Sequence, residues 1–254
     1  MSEHLLEERN EAVLTLTMHR PDKKNALTRD MYGAMATAIN AAQEDASIRA
    51  VIIRGSAECF TSGNDVSDFL NAPASEPESP VYRFLKAICH ADKPLIAAVN
   101  GPAVGVGTTM LLHCDLIYVA ENARLKMPFV NLGLCPEAGS SFLLPRLLGH
   151  PRTAELLLLG EEISGSRAVE FGLANQALPA GQPVFDAAMS AARRIAELPP
   201  ESMRLTKQLI KRGVADVASR VMDEEGEHFS KLLGGPEARE ALAAFMQKRK
   251  PVFN

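Results

Sequence analysis

A chain of 254 residues, 46% hydrophobic and 23% charged, has the mix of a packed globular protein, which excludes disordered and fibrous classes. Lys and Arg number 27 against 31 Asp and Glu, so the formal charge is −4 and no global positive field exists for a nucleic acid. Any phosphate-bearing ligand must be held locally. The four cysteines, Cys59, Cys89, Cys114 and Cys135, form no Cys-x-x-Cys pair and are read as reduced thiols of a cytoplasmic protein without a metal cluster. The acidic start, Ser2-Glu3-His4-Leu5-Leu6-Glu7-Glu8, lacks the basic region of a secretory signal. Residues 95–112 carry no charge and approach the length of a membrane span, but the turn Asn100-Gly101-Pro102 and then Gly105 and Gly107 break them, so no membrane segment is expected.

In chain order, alternation over residues 12–18 predicts a strand that ends at Arg20-Pro21-Asp22. Thr28 is an N-cap candidate for a helix carrying Met31, Ala34, Ala38 and Ile39 at helical spacing. A strand over 50–54 leads into a loop, 55–65. Residues 68–80 hold Pro73, Pro77 and Pro80 and read as a surface excursion before a helix through Phe84, Leu85 and Ile88. The apolar runs 95–99 and 115–119 are expected as buried strands with a helix over 108–113 between them, which implies an α/β core. Beyond Leu134 the texture is helical, with a break at Gly149-His150-Pro151 and a cap at Ser164. Pro199-Pro200 marks a boundary, dividing a core over 1–200 from a helical module over 201–254.

The glycine-rich stretch 101–110 lacks the third glycine of a dinucleotide fingerprint, because Met110 stands there, and it has no P-loop Lys-Ser/Thr. No Gly-x-Ser-x-Gly elbow or His-Glu-x-x-His pair occurs, and His113, beside Leu111, Leu112 and Cys114, is read as a packed core histidine. Three loops of small residues follow predicted strands: 60–65, 100–107 and 128–141. In the first two, glycine allows close approach of backbone to a ligand, and two N–H groups converging on one point would make an oxyanion hole. Any one loop taken alone reads better as a tight turn with glycine at positive φ.

Together these loops resemble the enoyl-CoA hydratase/isomerase (crotonase) superfamily over about residues 6–253. The resemblance rests on Arg20-Pro21…Asn25-Ala26-Leu27, Ser62-Gly63-Asn64-Asp65, Asn100-Gly101-Pro102-Ala103-x-Gly105, Cys114-Asp115-Leu116 and Phe245-Met246-Gln247-Lys248-Arg249, in family order. It implies an α/β fold, a crotonase-like spiral of ββα units with a C-terminal helical trimerisation module, assembled as a homotrimer or dimer of trimers. It implies an acyl-CoA thioester substrate, coenzyme A entering as part of the substrate rather than as a cofactor, with no metal. The backbone N–H groups of Asn64 and Val106 would hold the thioester carbonyl. Lys23, Lys24, Ala26, Ser62, Asp65, Val66 and Gly105 would lie along coenzyme A, with Phe245 and Lys248 reaching a neighbouring subunit's coenzyme A.

The departures from the family pattern select among activities. The two hydratase glutamates fall at Thr109 and Phe129, where no carboxylate stands. Glu137 instead matches the glutamate of the peroxisomal-type Δ3,Δ2-enoyl-CoA isomerase branch, a step of unsaturated fatty-acid β-oxidation, which needs a single base. Other crotonase-type reactions (hydration, or a related lyase or hydrolase activity) and non-catalytic acyl-CoA binding remain as alternatives. Without the family, Glu137 also reads as an acid in the first turn of a helix after Pro136, favourable to the macrodipole.

Overall fold

At the start of the chain, β1 (Leu5–Asn10) and β2 (Val13–Met18) form an antiparallel hairpin whose turn holds Glu11 at φ 53°. The structure is a computed structural model and describes residues 2–56, 58–70 and 79–253. β2 alternates as expected, whereas β1 is an edge strand with only Leu5 buried and so carries no period-two signal.

α1 (Arg29–Glu44) begins at the expected cap, where Thr28 Oγ1 accepts from the Met31 amide at 3.3 Å. β3 (Ala50–Gly55) then lies parallel to β2, and α2 (Val66–Leu70) opens the segment read as an excursion, of which residues 71–78 lie outside the described residues. α3 (Pro80–Cys89) packs on α1, with Tyr32 and Phe84 rings tilted against each other at 5.4 Å.

From here the chain alternates between two sheets. β4 (Leu95–Val99) joins the large sheet and β5 (Pro102–Val104) the small one; α4 (Val106–Thr109) and a 3-10 turn, Met110–His113, follow. β6 (Leu116–Ala120) returns to the large sheet and β7 (Arg124–Lys126) to the small one. The helix expected over 108–113 is therefore two short pieces, beginning earlier at Val106.

The helices after residue 134 are α5 (Ser140–Leu148) and α6 (His150–Leu158), broken at Gly149 as expected. β8 (Glu162–Ser164), α7 (Gly165–Glu170), capped by Ser164, and β9 (Gln176–Leu178) come next. The six-stranded sheet runs β1-β2-β3-β4-β6-β9 and the three-stranded sheet β5-β7-β8. Strands β7, β8 and β9 are three residues each, too short for hydropathy alternation to reveal. α8 (Gln182–Ala196) packs across β3, β4 and β6, burying Val184, Ala188 and Ala192.

The C-terminal helices are α9 (Pro200–Lys211), α10 (Ala215–Leu233) and α11 (Pro236–Met246). They are tied to the sheet core rather than hung from it. On α9, buried Lys207 donates to the Lys93 carbonyl and to Asp115 Oδ2, each at 2.7 Å, while Asp115 Oδ2 also accepts from the Leu95 amide at 2.8 Å. Burial pulls the Lys207 ammonium down to about 8. Among the described residues no helix is long and apolar enough to cross a membrane.

Candidate active site

The loop 61–65 is stitched to the segment before α1. The Ser62 amide donates to the Lys24 carbonyl at 3.0 Å, Leu27 to Gly63 at 2.8 Å, and Asp65 to Leu27 at 2.9 Å. Buried Asn25, at φ 53°, donates through Nδ2 to the Cys59 carbonyl at 2.7 Å and holds the next layer. Thr61 bridges to Ala103 of β5, which sets this loop beside the glycine loop. Contact is close: a Cβ on Gly63, which sits at φ +91°, would stand 2.9 Å from the Val104 carbonyl oxygen, and one on Gly107 would stand 2.5 Å from Thr61 Cγ2. Only glycine fits either place.

Asn64 follows Gly63, and Val106 begins α4 after Gly105 at φ 57°. Neither backbone N–H donates to a protein acceptor among the described residues, and both residues line one cavity. Unpaired amides at a helix start and after a glycine are the raw material of an oxyanion hole. The Asn64 side chain is fixed separately, its Oδ1 accepting from the hydroxyl of Tyr32. Tyr32 is fully buried, and burial, with Glu137 nearby, pushes its phenol well above the ordinary value, so it stays a donor.

Glu137 sits in a turn, not in the first turn of a helix: Ala138 (φ 59°) and Gly139 (φ 71°) are left-handed and α5 begins only at Ser140. The macrodipole reading of this residue therefore falls. Its carboxylate Oε1 accepts from Thr109 Oγ1. Thr109 closes the four-residue helix that Val106 opens, so the hydroxyl that holds the carboxyl and the free amide stand on the same short helix. Burial raises the Glu137 carboxyl to about 8; the Thr109 hydroxyl opposes the rise and Glu225 adds to it.

The turn is held from both sides. The His113 ring Nε2 lies 2.8 Å from the Ala138 carbonyl, and burial lowers the imidazole to about 4, so the ring is neutral and donates. His113 is the packed core histidine expected, and it braces the turn as well. From α10, buried Glu225 accepts from the Gly139 amide at 2.6 Å, the Ser141 amide at 2.9 Å and the Ser141 hydroxyl at 2.5 Å. Burial raises the Glu225 carboxyl, against the pull of these bonds.

Two chambers meet at Asn64 and Phe229, which line both. The larger one, about 460 Å³, holds the free amides, with Ser62, Val66, Gly105, Lys126, Phe129 and Phe245 along its walls. The smaller one, about 50 Å³, holds Glu137, walled by Val81, Leu85, Met222 and Phe229.

The remaining expected residues divide. Lys23 and Lys24 are exposed on a 3-10 turn, and Ala26 lies just after it; none of the three lines the cavity. The Asp65 carboxylate is already engaged, by the Ser67 hydroxyl and by Arg20 at 2.5 Å, and lies far below the usual carboxylate range. Phe245, expected against a neighbour's coenzyme A, lines the cavity of its own chain. So does Arg249, in place of Lys248, because α11 ends in a Schellman turn with Lys248 at φ 54°. Its Arg249 amide donates to the Ala244 carbonyl at 3.0 Å, and the Arg249 guanidinium grips Glu240 at 2.5 and 2.8 Å. Sequence reasoning missed Tyr32, Glu225 and Phe229, each one position on an amphipathic helix with no local motif.

Comparison with known proteins matches this arrangement. A sequence profile described as Enoyl-CoA hydratase/isomerase covers residues 8–254. A solved structure titled "Structure of Pseudomonas aeruginosa OdaA" superposes with a TM-score of 0.95 at 56% identity, covering 96% of this chain and 99% of that one. Enoyl-CoA delta isomerase 2 of Rattus norvegicus is 32% identical, over 94% of this chain and 62% of its own length. The 2,3-dehydroadipyl-CoA hydratase of Escherichia coli (strain K12) is also 32% identical, over 100% of this chain and 99% of its own. With a spiral of ββα units, two free amides at adjacent glycine loops and matches over nearly its whole length, the chain belongs to the enoyl-CoA hydratase/isomerase family.

Proposed function

We propose that the protein is a Δ3,Δ2-enoyl-CoA isomerase. The observation that carries this reading is the isolation of Glu137: among the described residues lining the two chambers it is the one carboxylate. Thr109 and Phe129, at the places where family resemblance puts the hydratase pair, carry none. Moving a double bond from C3 to C2 requires a proton taken from C2 and returned to C4, and one carboxylate can do both. The Asn64 and Val106 amides would hold the thioester oxygen as negative charge develops there, each donor contributing roughly 10²–10³ in rate. A positioned base adds about 10²–10⁴. The mostly apolar walls around Glu137 disfavour the water that hydration would need.

Coenzyme A would occupy the larger chamber, where Lys126 supplies positive charge beside an Arg249 guanidinium already paired with Glu240. Assembly as a homotrimer or dimer of trimers is supported by Leu205, Leu209 and Ile210, apolar and exposed on α9.

The test is conversion of a 3-enoyl-CoA to its conjugated 2-enoyl isomer, followed by ultraviolet absorbance, beside hydration of a 2-enoyl-CoA at equal enzyme concentration. Isomerisation should be much the faster. Glu137→Gln should lower its kcat by at least about 10²-fold while acyl-CoA still binds, because the amide keeps the shape but takes no proton. Faster hydration, or near wild-type turnover in the variant, overturns the single-base reading.

A further inference from the structure

The bond between Tyr32 and Asn64 acts on a side chain and leaves the backbone donor untouched. The Asn64 N–H shares a planar peptide with the Gly63 carbonyl, which accepts from the Leu27 amide at 2.8 Å, so the direction of that N–H is set without Tyr32. The side-chain amide is a separate matter. Among the described residues the buried Tyr32 hydroxyl has one partner, Asn64 Oδ1. Turning the amide over would leave the phenol proton buried with no acceptor, so Oδ1 is fixed on Tyr32 and the two protons of Nδ2 are directed elsewhere.

Nδ2 finds no acceptor among the described residues. It is not sealed in, because Ser230 Oγ is the one unpaired side-chain polar atom among them without accessible surface. Asn64 is half-buried and the space it borders is the site: it lines both chambers, one holding the free amides and the other Glu137. A simple enoyl thioester brings a single oxygen into that space, the one on its carbonyl. When Glu137 takes the C2 proton, the electron pair left on C2 moves toward the carbonyl and onto that oxygen, and a hydrogen bond to it strengthens as the charge grows. Backbone N–H and Nδ2 stand at the two ends of one short side chain, so Asn64 can offer such an oxygen both.

We infer that the Asn64 side-chain amide is a further donor to the thioester oxygen as it gains charge, and that Tyr32 is the positioning residue that turns it. The inference rests on the acyl-CoA reading of the site and adds a catalytic contact to it. Acetoacetyl-CoA tests it without turnover, because loss of its C2 proton gives an enolate with its own ultraviolet band, while hexanoyl-CoA reports binding of the neutral carbonyl. At one pH, the wild type should hold a larger enolate fraction than acetoacetyl-CoA shows free in solution. Asn64→Leu should lower the bound enolate-to-neutral ratio about tenfold or more, the worth of one hydrogen bond to a charged oxygen, with hexanoyl-CoA affinity changed less than about threefold. Asn64→Ala should do the same with a side chain too small to block the ligand. Tyr32→Phe keeps its ring against Phe84 and loses one oxygen, and should lower the ratio part of the way. In the Asn64→Leu background it should lower the ratio no further, as expected of a residue that acts through another. An unchanged ratio in both Asn64 variants, or a loss matched by hexanoyl-CoA, overturns the donor. An unchanged ratio in Tyr32→Phe, or effects that multiply in the double variant, overturns the positioning role. A wild type that binds neither thioester, or binds acetoacetyl-CoA without favouring its enolate, overturns instead the reading of the site beneath.

Discussion

A carboxyl held near 8 is mostly protonated at neutral pH, so if Glu137 is the proposed base it should link activity to alkalinity. In the free enzyme the ionised form grows as pH rises, and kcat/KM should climb about tenfold per pH unit below the carboxyl's pKa and level above about 8. Thr109→Val removes the hydroxyl that favours the ionised form, so the rising limb of the profile should move to higher pH; a limb that stays in place would mean that Glu137 is not the titrating group. Stability carries the same signature with its own sign. The folded-state carboxyl is raised from 4.5 to about 8, so the folded protein binds the proton more tightly, and stability is lost as pH rises through that window. Glu137→Gln abolishes the dependence. Its melting temperature should match wild type near pH 4–5 and exceed it increasingly up to pH 8–9 in thermal scans, whereas a constant difference would contradict the burial-driven shift.

At the scale of elements, the catalytic turn is shaped from a distance. Glu225 reaches Gly139 across 86 positions, and Tyr32 reaches Asn64 across 32. This explains what was legible. Asn64, Val106 and Glu137 stand in contiguous motifs of glycine, proline and small residues whose spacing is itself the signal. Tyr32 and Glu225 are polar tips on helices whose pattern predicts only which face is buried, and one buried glutamate among the charges of α10 looks like a member of its wet side. The helices and long strands were readable for the same reason in reverse, since burial repeats along them, while β7, β8 and β9 are shorter than one readable period. Glu225→Ala would strand the Gly139 and Ser141 amides, at about 1–3 kcal/mol each. The variant should melt several degrees lower and lose kcat more than it gains KM, because the turn carries the base. Loss of stability with unchanged kcat would confine Glu225 to a structural role.

On the scale of the whole molecule, the C-terminal helices do two jobs at once. α10 and α11 close the cavity of their own chain, while α9 leaves Leu209 at 66% and Ile210 at 74% exposure. Exposed apolar side chains of this kind would suit the proposed contact between chains. Light scattering should find a trimer or hexamer at working concentration, and a stable monomer would show that the stripe is left to solvent. The helical composition of this region was plain in the sequence; its seat over the chain's own chambers was not, because that depends on Lys207 and Glu225 finding partners in the core. α10 has one more consequence. Met222, Glu225 and Phe229 stand on a single rod, so side chains that wall the chamber around Glu137 and the side chain that holds the Gly139 turn share one helix. If the proposed reading holds, a substitution along α10 that reshapes this chamber acts on the same helix that holds the turn bearing Glu137, so substrate range and placement of the base would change together.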